Sequence, residues 1–190
     1  MTKTYRMLFA AAMALLATSP AKAQKNPILP EWHADPEIIC DGGRYYIYST
    51  TDGQPGWGGH YFSCYSSKNL RDWRYEGITL DLHRDTEWAK GNAWAPCIVK
   101  KNGKFYFYYS GDQGERKAIG VAISETPTGH FKDLGHPIID QRPKGVKNGQ
   151  QIDVDVFTDD DGQSYIYWGN GYMAGARLCE DMCSLDTTTI

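Results

Sequence analysis

The sequence lacks several features that would assign it to common functional classes. After the N-terminus it has no second long apolar run, so no membrane span is predicted in the rest of the chain. It has no basic stripe, and its net charge of −3 is close to balanced, which argues against a nucleic-acid partner. It also shows no convincing helical periodicity beyond the N-terminal segment. The fold and function must therefore be inferred from short strands, turns and isolated polar residues.

Cysteine is scarce and shows no metal-binding pattern. There are five cysteines, an odd number, so at least one has no disulfide partner within this chain. Neither Cys179 nor Cys183 has a histidine at the spacing of a zinc site, and we predict no metal-ligating residues. We interpret the cysteines as small buried apolar residues and leave their pairing open. They are Cys40, Cys64, Cys97, Cys179 and Cys183.

The first 23 residues have the pattern of an export signal. The basic stretch MTKTYR precedes the apolar run MLFAAAMALLATSP, and Ala21-Lys22-Ala23 forms a small-x-small cleavage pattern. The apolar run is interrupted at residues 18–20 and is shorter than the ~20 residues that a membrane anchor needs. We therefore predict a signal peptide at 1–23, a mature chain that begins near Gln24, and export to the periplasm or the extracellular space.

The residues that are abundant favour short strands joined by tight turns. Aromatic residues make up 13% of the chain and there are 20 glycines. Three stretches, beginning at Asp35, Ala95 and Asp153, each contain an apolar strand, a turn of Asp, Asn or Gly residues, and a second strand rich in aromatics. Their starts are about 60 residues apart, a period typical of repeated architectures such as propeller blades.

The sequence between these hairpins supplies further strand candidates at 60–67 and 118–125, and Trp73 and Phe131 follow them as candidate capping residues. Four strands per blade is the pattern of a β-propeller, which typically has four to eight blades. An all-β propeller with about three blades in this chain is therefore predicted, and the missing blades are expected beyond residue 190. A complete open sandwich of about 165 residues is the alternative.

Two acids occupy equivalent places in this repeat. Asp35 and Asp153 stand at the entry of the first strand of their hairpins, where a propeller directs side chains toward its central channel. A proline follows Asp35, and we expect it to hold Asp35 in an extended conformation. Two carboxylates in one channel are typical of sites that cleave glycosidic bonds. The acidic run at 159–161 is interpreted as a turn, since it lacks the spacing of a calcium-binding loop.

Tryptophans near the same strand entries could bind a sugar, because flat aromatic rings pack against the apolar faces of sugar rings. Trp94 directly precedes Ala95, and Trp168 follows the third hairpin. Together with His33, they are our candidate substrate-binding residues. Trp32 and Trp57 are weaker candidates, and packing between blades is the alternative role for all four tryptophans.

Taken together, three phrases resemble glycoside hydrolase family 43, a group of five-bladed β-propellers that includes α-L-arabinofuranosidases, β-xylosidases and arabinanases. The phrases are HADPEI (33–38), NAWAPCIVKKNGKFYFYYSG (92–111) and QIDVDVFTDDDGQSYIYWGN (151–170). The resemblance extends over nearly all of residues 24–190. It implies the N-terminal part of a propeller glycosidase domain that cleaves arabinose- or xylose-containing carbohydrates.

The resemblance also implies roles in an inverting mechanism with three acids. Asp35 matches the general base, and Asp153 matches the acid that raises the pKa of the proton donor and orients it. Members of the family usually have proline after this second aspartate, whereas here Val154 follows, and then Asp155; the repeat register selects Asp153. The proton-donating glutamate has no match in this chain, and Glu180 stands in an unsuitable phrase.

Without that glutamate, residues 24–190 alone are predicted to be inactive. No cofactor is required, and a structural calcium or sodium ion in the channel is compatible with the resemblance. A noncatalytic carbohydrate-binding propeller of a surface uptake system is the alternative function. A retaining enzyme acting on fructans is disfavoured, because residues 33–36 do not match the Asn-Asp-Pro-Asn phrase that it would need.

Overall fold

A computed structural model describes residues 26–114 and 116–190. The predicted signal peptide at 1–23 lies outside the described residues. In the described part of the chain, no helix has both the length and the apolar character needed to cross a membrane.

The fold consists of three antiparallel sheets of four strands each, which we call blades 1, 2 and 3. Blade 1 contains β1 (His33–Asp41), β2 (Arg44–Thr51), β3 (Tyr61–Ser67) and β4 (Arg74–Asp81). Blade 2 contains β5 (Trp94–Lys101), β6 (Lys104–Asp112), β7 (Lys117–Ser124) and β8 (Lys132–Asp133). Blade 3 contains β9 (Asp155–Thr158), β10 (Ser164–Trp168), β11 (Ala174–Leu178) and β12 (Leu185–Asp186).

The order of strands within each blade follows the chain, and β5 contacts both β1 and β9. The first strands of the three blades are therefore neighbours, as the inner strands of a propeller are. This arrangement confirms the predicted all-β fold with three blades. The open sandwich is wrong, because the twelve strands form three separate sheets instead of two packed ones.

Turn chemistry explains why the first two hairpins form where the sequence predicts them. Gly42-Gly43 and Asn102-Gly103 each connect two strands through a two-residue loop, and all four residues have positive φ angles. Such loops need residues that tolerate a left-handed backbone, which glycine and asparagine do. In the third hairpin the acidic run at 159–161 lies in the loop, as predicted, and its backbone bonds close a turn.

Two apolar clusters fill the spaces between the blades, and β6 contributes to both. Phe105, Phe107 and Tyr109 point into the cluster shared with blade 1, whereas Tyr106 and Tyr108 point into the cluster shared with blade 3. Successive side chains of a strand point to opposite faces of its sheet. The aromatic run at 105–109 of β6 is therefore buried on both faces of the sheet.

Two expectations need correction. A short helix, α1 (Leu82–Asp85), follows β4, and the Asp81 side chain caps its N-terminus by accepting a bond from the His83 amide. Four residues are too few to show helical periodicity. The cysteines are not uniformly buried: Cys64 and Cys97 lie in the core, but Cys40 and Cys179 are exposed, and all five are free.

Candidate active site

Three residues at equivalent places in the repeat share an unusual backbone conformation. The φ angles are 48° at Asp35, 41° at Ala95 and 59° at Asp153. Non-glycine residues rarely adopt positive φ, and such residues cluster at functional sites. The same local geometry occurs once per blade, at the entry of the inner strand. The structure therefore supports the register in which Asp153 corresponds to Asp35.

The predicted extended conformation of Asp35 is wrong. The clash with Pro36 chiefly disfavours the right-handed helical region, and aspartate tolerates the left-handed region better than most residues do. The β1–β2 pairing also shifts register between Ala34 and Glu37. The entry of the inner strand is thus a bulge, which redirects side chains and is common next to active sites.

The Asp35 carboxylate is exposed and is oriented by a hydroxyl group from the next strand. Thr50 Oγ1, near the end of β2, donates to Asp35 Oδ2 at 2.8 Å. The same oxygen accepts a hydrogen bond from the Ala95 amide of blade 2 at 2.9 Å. One hydroxyl group therefore fixes the direction of the carboxylate and connects it to the neighbouring inner strand.

Asp153 is held in a related way. Its amide donates to Ser110 Oγ of blade 2 at 3.2 Å, and its Oδ2 accepts from Asn170 Nδ2 at 3.3 Å. Ser110 of β6 lies opposite Trp94 of β5 in the strand pairing of blade 2. Thr50 of β2 lies opposite Ala34 of β1 in the same way, so the two hydroxyl groups occupy equivalent positions in their blades. The hydrogen bond from an inner-strand amide to a hydroxyl group of the preceding blade thus occurs twice, from Ala95 to Thr50 and from Asp153 to Ser110.

Val154, which stands where the resemblance would place proline, is buried in the core between blades 2 and 3. Asp155 begins β9, and its Oδ1 accepts from the Cys97 thiol at 3.6 Å. The two aspartates of this phrase therefore have different environments. Asp153 occupies the strand entry, and Asp155 lies two residues further along the chain, at the start of β9.

Glu37, Cys97 and Asp155 form a second set of equivalent positions on the inner strands, two residues beyond the first set. Burial raises the pKa of the Glu37 carboxyl group to about 7, and the negative charge of Asp155 acts in the same direction. Burial also raises the pKa of the Cys97 thiol, which therefore stays protonated as a donor to Asp155. We did not predict this set, because strand alternation alone does not reveal burial.

Trp94, the predicted sugar platform, is partly exposed at the strand entry of blade 2. Its Nε1 donates to the backbone carbonyl of Trp57 at 2.8 Å, which fixes the indole ring. Lys117 Nζ lies 4.9 Å from the centre of the ring, in cation–π contact with one face. A sugar that stacks on this ring would therefore have to use the face opposite Lys117.

The other two predicted substrate contacts have different surroundings. His33 has both ring nitrogens engaged, Nδ1 with Ser49 Oγ and Nε2 with the Pro30 carbonyl, each at 2.7 Å. Trp168 is 3% exposed and packs in the core between blades 2 and 3. The His33 ring is thus held by hydrogen bonds, and the Trp168 ring is held by core packing. Contact of either residue with the substrate stays a prediction.

Among the residues that the structure describes, one cluster of potential metal ligands lies away from the inner strands. The ligand atoms of His60, Asp81 and His83 are all within 4.8 Å of one another. The two imidazole rings are stacked 4.0 Å apart at an angle of 6°, so their nitrogen lone pairs lie in parallel planes and do not converge on one ion. Imidazole also suits zinc or copper better than calcium. The calcium or sodium ion in the channel stays a prediction.

Cleft volume alone does not locate the site. A cleft of about 800 Å³ on blade 3 is formed mainly by 136–144 and 183–190, and it includes neither Asp35 nor Asp153. A smaller cleft of about 320 Å³ lies beside the entry of β1. The chemical groups that recur at the inner-strand entries are the better guide to the candidate active site.

Three four-stranded blades whose inner strands are neighbours define the class of the protein as a β-propeller. The sequence matches the family description "Glycosyl hydrolases family 43" over residues 24–190. The chain belongs to this family, as its three phrases predicted.

Among curated relatives, a β-D-galactofuranosidase of Aspergillus niger is 31% identical over 186 residues, which cover 90% of this chain and 53% of the relative. An extracellular exo-α-(1→5)-L-arabinofuranosidase of Cellvibrio japonicus is 30% identical over 181 residues, which cover 88% of this chain and 47% of the relative. The chain thus spans about half the length of the curated relatives that it matches.

Solved structures of glycoside hydrolases are also similar to this chain. An α-L-arabinofuranosidase of Clostridium thermocellum matches with a TM-score of 0.70 and 37% identity, covering 80% of this chain and 53% of the other. A β-xylosidase/α-arabinofuranosidase from a compost metagenome matches with a TM-score of 0.73 and 26% identity, covering 86% of this chain and 60% of the other. The three blades are therefore built as in the propellers of this family.

Proposed function

We propose that this chain provides the base-carrying part of the active site of an inverting glycoside hydrolase. Its substrates are plant polysaccharides or oligosaccharides that contain arabinose or xylose. The observation that carries the proposal is the Asp35 carboxylate, which is exposed at the entry of β1 and oriented by Thr50. Family membership and the names of the relatives support the reaction type and the substrate class.

In this mechanism Asp35 removes a proton from a water molecule that attacks the anomeric carbon. An inverting enzyme leaves roughly 6.5–9.5 Å between base and acid so that this water fits between the base and the sugar. Asp153 acts by its negative charge, which raises the pKa of the proton-donating glutamate and orients it. That glutamate is expected outside residues 1–190, so residues 24–190 alone are expected to lack activity.

The proposal places the enzyme in the periplasm or outside the cell. It is supported by the signal-like sequence at 1–23 and by the extracellular relatives from Cellvibrio japonicus and Bacillus subtilis. Trp94 would contribute a stacking face to the sugar, because its partly exposed indole is fixed at the strand entry.

The test uses the full-length protein with 4-nitrophenyl α-L-arabinofuranoside and 4-nitrophenyl β-D-xyloside. Replacing Asp35 by Asn removes the base but keeps the size of the side chain, and we expect kcat to fall by about 10²–10⁴-fold. Asp41→Asn is the matched control, because Asp41 lies at the opposite end of the same strand and pairs with Lys100. The anomeric configuration of the first product, followed by NMR, should be inverted.

Azide supplies a second readout, since a small anionic nucleophile needs no general base. It should restore turnover in Asp35→Ala and form a glycosyl azide. Retention of configuration, or an Asp35→Asn variant with wild-type kcat, would contradict the proposed mechanism. Binding of xylan or arabinan without any hydrolysis by the full-length protein would favour the noncatalytic alternative.

A further inference from the structure

Two tryptophans on blade 1 are unusually exposed and lie on the same cleft. The side chains of Trp32 and Trp57 are each 76% exposed. Both line the cleft of about 320 Å³, together with polar residues that include Asp52 and Gln54. Single exposed apolar residues are common on protein surfaces. Two large aromatic rings beside one cleft with a polar rim are a different case, since they form a surface suited to a ligand.

The backbone beneath Trp57 is fixed while its side chain stays open. Trp57 has a φ angle of 61°, which is a rare conformation for a bulky residue. Its carbonyl oxygen accepts two hydrogen bonds from blade 2, from Trp94 Nε1 at 2.8 Å and from Asn92 Nδ2 at 3.0 Å. A side chain on a fixed backbone loses less freedom when it binds a ligand. The contacts therefore fix the backbone that carries the indole of Trp57 and leave the ring itself exposed to a ligand.

The position of the cleft indicates what binds there. Trp32 is three residues before Asp35, and Thr51, another cleft residue, directly follows Thr50, which orients Asp35. The carbonyl of Trp57 also fixes the Trp94 ring. The cleft thus adjoins the candidate active site but contains neither Asp35 nor Trp94. A ligand in it would be continuous with the substrate and would not occupy the reacting position.

We propose that the cleft between Trp32 and Trp57 binds a pentose residue of the substrate chain that lies beyond the residues joined by the cleaved bond. The indole faces would stack on the sugar ring, and the side chains of Asp52 and Gln54 would bind its hydroxyl groups. A volume of about 320 Å³ is at the lower end for ligand sites, which suits a sugar better than a protein partner. This inference rests on the proposed function, since it extends the same substrate.

The test compares long and short substrates of the full-length protein. Xylotetraose and α-1,5-linked arabinotetraose reach beyond the cleaved bond, whereas the nitrophenyl monoglycosides do not. Trp57→Ala should lower kcat/KM for the preferred tetrasaccharide about tenfold more than for the monoglycoside, mainly through KM. Trp32→Ala should act in the same direction, and Trp57→Phe should restore most of the loss. Tyr75→Ala, which removes another exposed aromatic side chain on β4, is the control.

Equal losses on the long and short substrates, or no loss on either, would overturn the proposal. Circular dichroism and thermal unfolding establish that each variant is folded. Calorimetric binding of the tetrasaccharides to Asp35→Asn separates this inference from the proposed function. If the full-length protein hydrolyses no pentoside, the proposed function fails. The cleft is still supported if the Asp35→Asn, Trp57→Ala double variant binds the tetrasaccharide roughly tenfold more weakly than Asp35→Asn does. Unchanged binding in that double variant contradicts it.

Discussion

Thr50 connects two neighbouring inner strands through one hydroxyl group. It donates to the Asp35 carboxylate and accepts from the Ala95 amide, so the proposed base is oriented by a residue that is itself held by the next blade. Small displacements of a catalytic group reduce rates strongly, because the reaction depends on its direction as well as its presence. We therefore predict that Thr50 is a positioning residue for Asp35.

Replacing Thr50 by Val should lower kcat on the nitrophenyl pentosides by about 10- to 100-fold with little change in KM, because Asp35 remains but loses its orientation. Thr50→Ser keeps the hydroxyl group and should restore most of the activity. The control is Thr79→Val, which removes a hydroxyl bonded to the Thr128 carbonyl on the outer side of blade 1. If both valine variants lose stability and activity in parallel, Thr50 has only a structural role.

Glu37 should make the stability of the protein depend on pH. Its pKa is raised from 4.5 to about 7 in the folded state, so between these values the folded protein binds more protons than the unfolded chain. Stability therefore decreases as the pH rises through this window. Glu37→Gln should remove this dependence and stabilise the protein by about 1–2 kcal/mol at pH 8. This value is smaller than the full pKa difference implies, because the carboxyl group is only half-buried and solvent screens its charge.

Urea unfolding at pH 5 and pH 8 measures the effect of Glu37. The difference between variant and wild type should be small at pH 5 and should grow toward pH 8. Glu180→Gln, on the exposed surface of blade 3, is the matched control and should show no such trend. An equal change at both pH values would mean that Gln alters packing and that proton binding is not the cause.

At the scale of single elements, Gly120 of β7 leaves room beside β6 for the bulky side chain of Trp88. A methyl group on Gly120 of β7 would lie 2.6 Å from Trp88 Cζ2 and 2.7 Å from the Tyr109 ring. Contacts this short force neighbouring side chains to shift, and Tyr109 is fully buried. The sequence of β7 hides this constraint, since Gly120 looks like any small residue in an apolar strand.

Gly120→Ala should therefore destabilise the protein by about 1–3 kcal/mol, the usual cost of overpacking a core. Gly91→Ala is the matched control, because its added methyl group would have no neighbour within 4 Å and its φ angle is not in the left-handed range. Thermal or urea unfolding of the two variants measures the difference. Equal stability of the two variants would show that Trp88 moves away at little cost.

The hairpins could be predicted from sequence because turn residues act locally. The loops Gly42-Gly43 and Asn102-Gly103 require left-handed backbone, and this requirement is visible in the residues themselves. The conformation of Asp35 was not predictable in this way. A general rule for residues before proline indicated an extended backbone, whereas the bulge at the strand entry depends on pairing with β2.

The candidate site was predicted in the same uneven way. The repeat register predicted that Asp35 and Asp153 occupy equivalent strand entries, and the structure has them there with similar φ angles. Their catalytic roles stay a prediction. Trp32 and Trp57 were named only as weaker candidates, and the cleft that they share was not predicted. It depends on how Trp94 and Asn92 of another blade hold the loop before β3. Contacts between blades have no signature in a single stretch of sequence.

At the scale of the whole molecule, equivalent tyrosines join each blade to the next. Tyr48 of β2 donates its hydroxyl to the Pro127 carbonyl, in the loop between β7 and β8. Tyr108 of β6 donates to the Met182 carbonyl at 2.7 Å, in the corresponding loop of blade 3. Ladder pairing gives Tyr167 of β10 the same position in blade 3. The repeat thus reproduces a specific hydrogen bond between blades as well as the strands.

Tyr108→Phe tests this connection. The tyrosine and Met182 are both fully buried, so loss of the hydroxyl leaves the Met182 carbonyl without its partner, and we expect a destabilisation of about 1–3 kcal/mol. Tyr167→Phe makes the same chemical change at the equivalent position of blade 3, where the side chain is 41% exposed. In the chain of residues 24–190 it should alter stability by less than about 0.5 kcal/mol.

The double variant of Tyr48 and Tyr108 shows whether the blades unfold together. The two hydroxyl groups contact different loops, so in a two-state transition their effects on the free energy of unfolding should add. If blade 1 instead separates from blades 2 and 3 before global unfolding, Tyr48→Phe should shift only an early transition in urea and Tyr108→Phe only a later one. Coincident transitions by tryptophan fluorescence and circular dichroism support the cooperative unit, because the apolar strand β6 packs against both neighbouring blades.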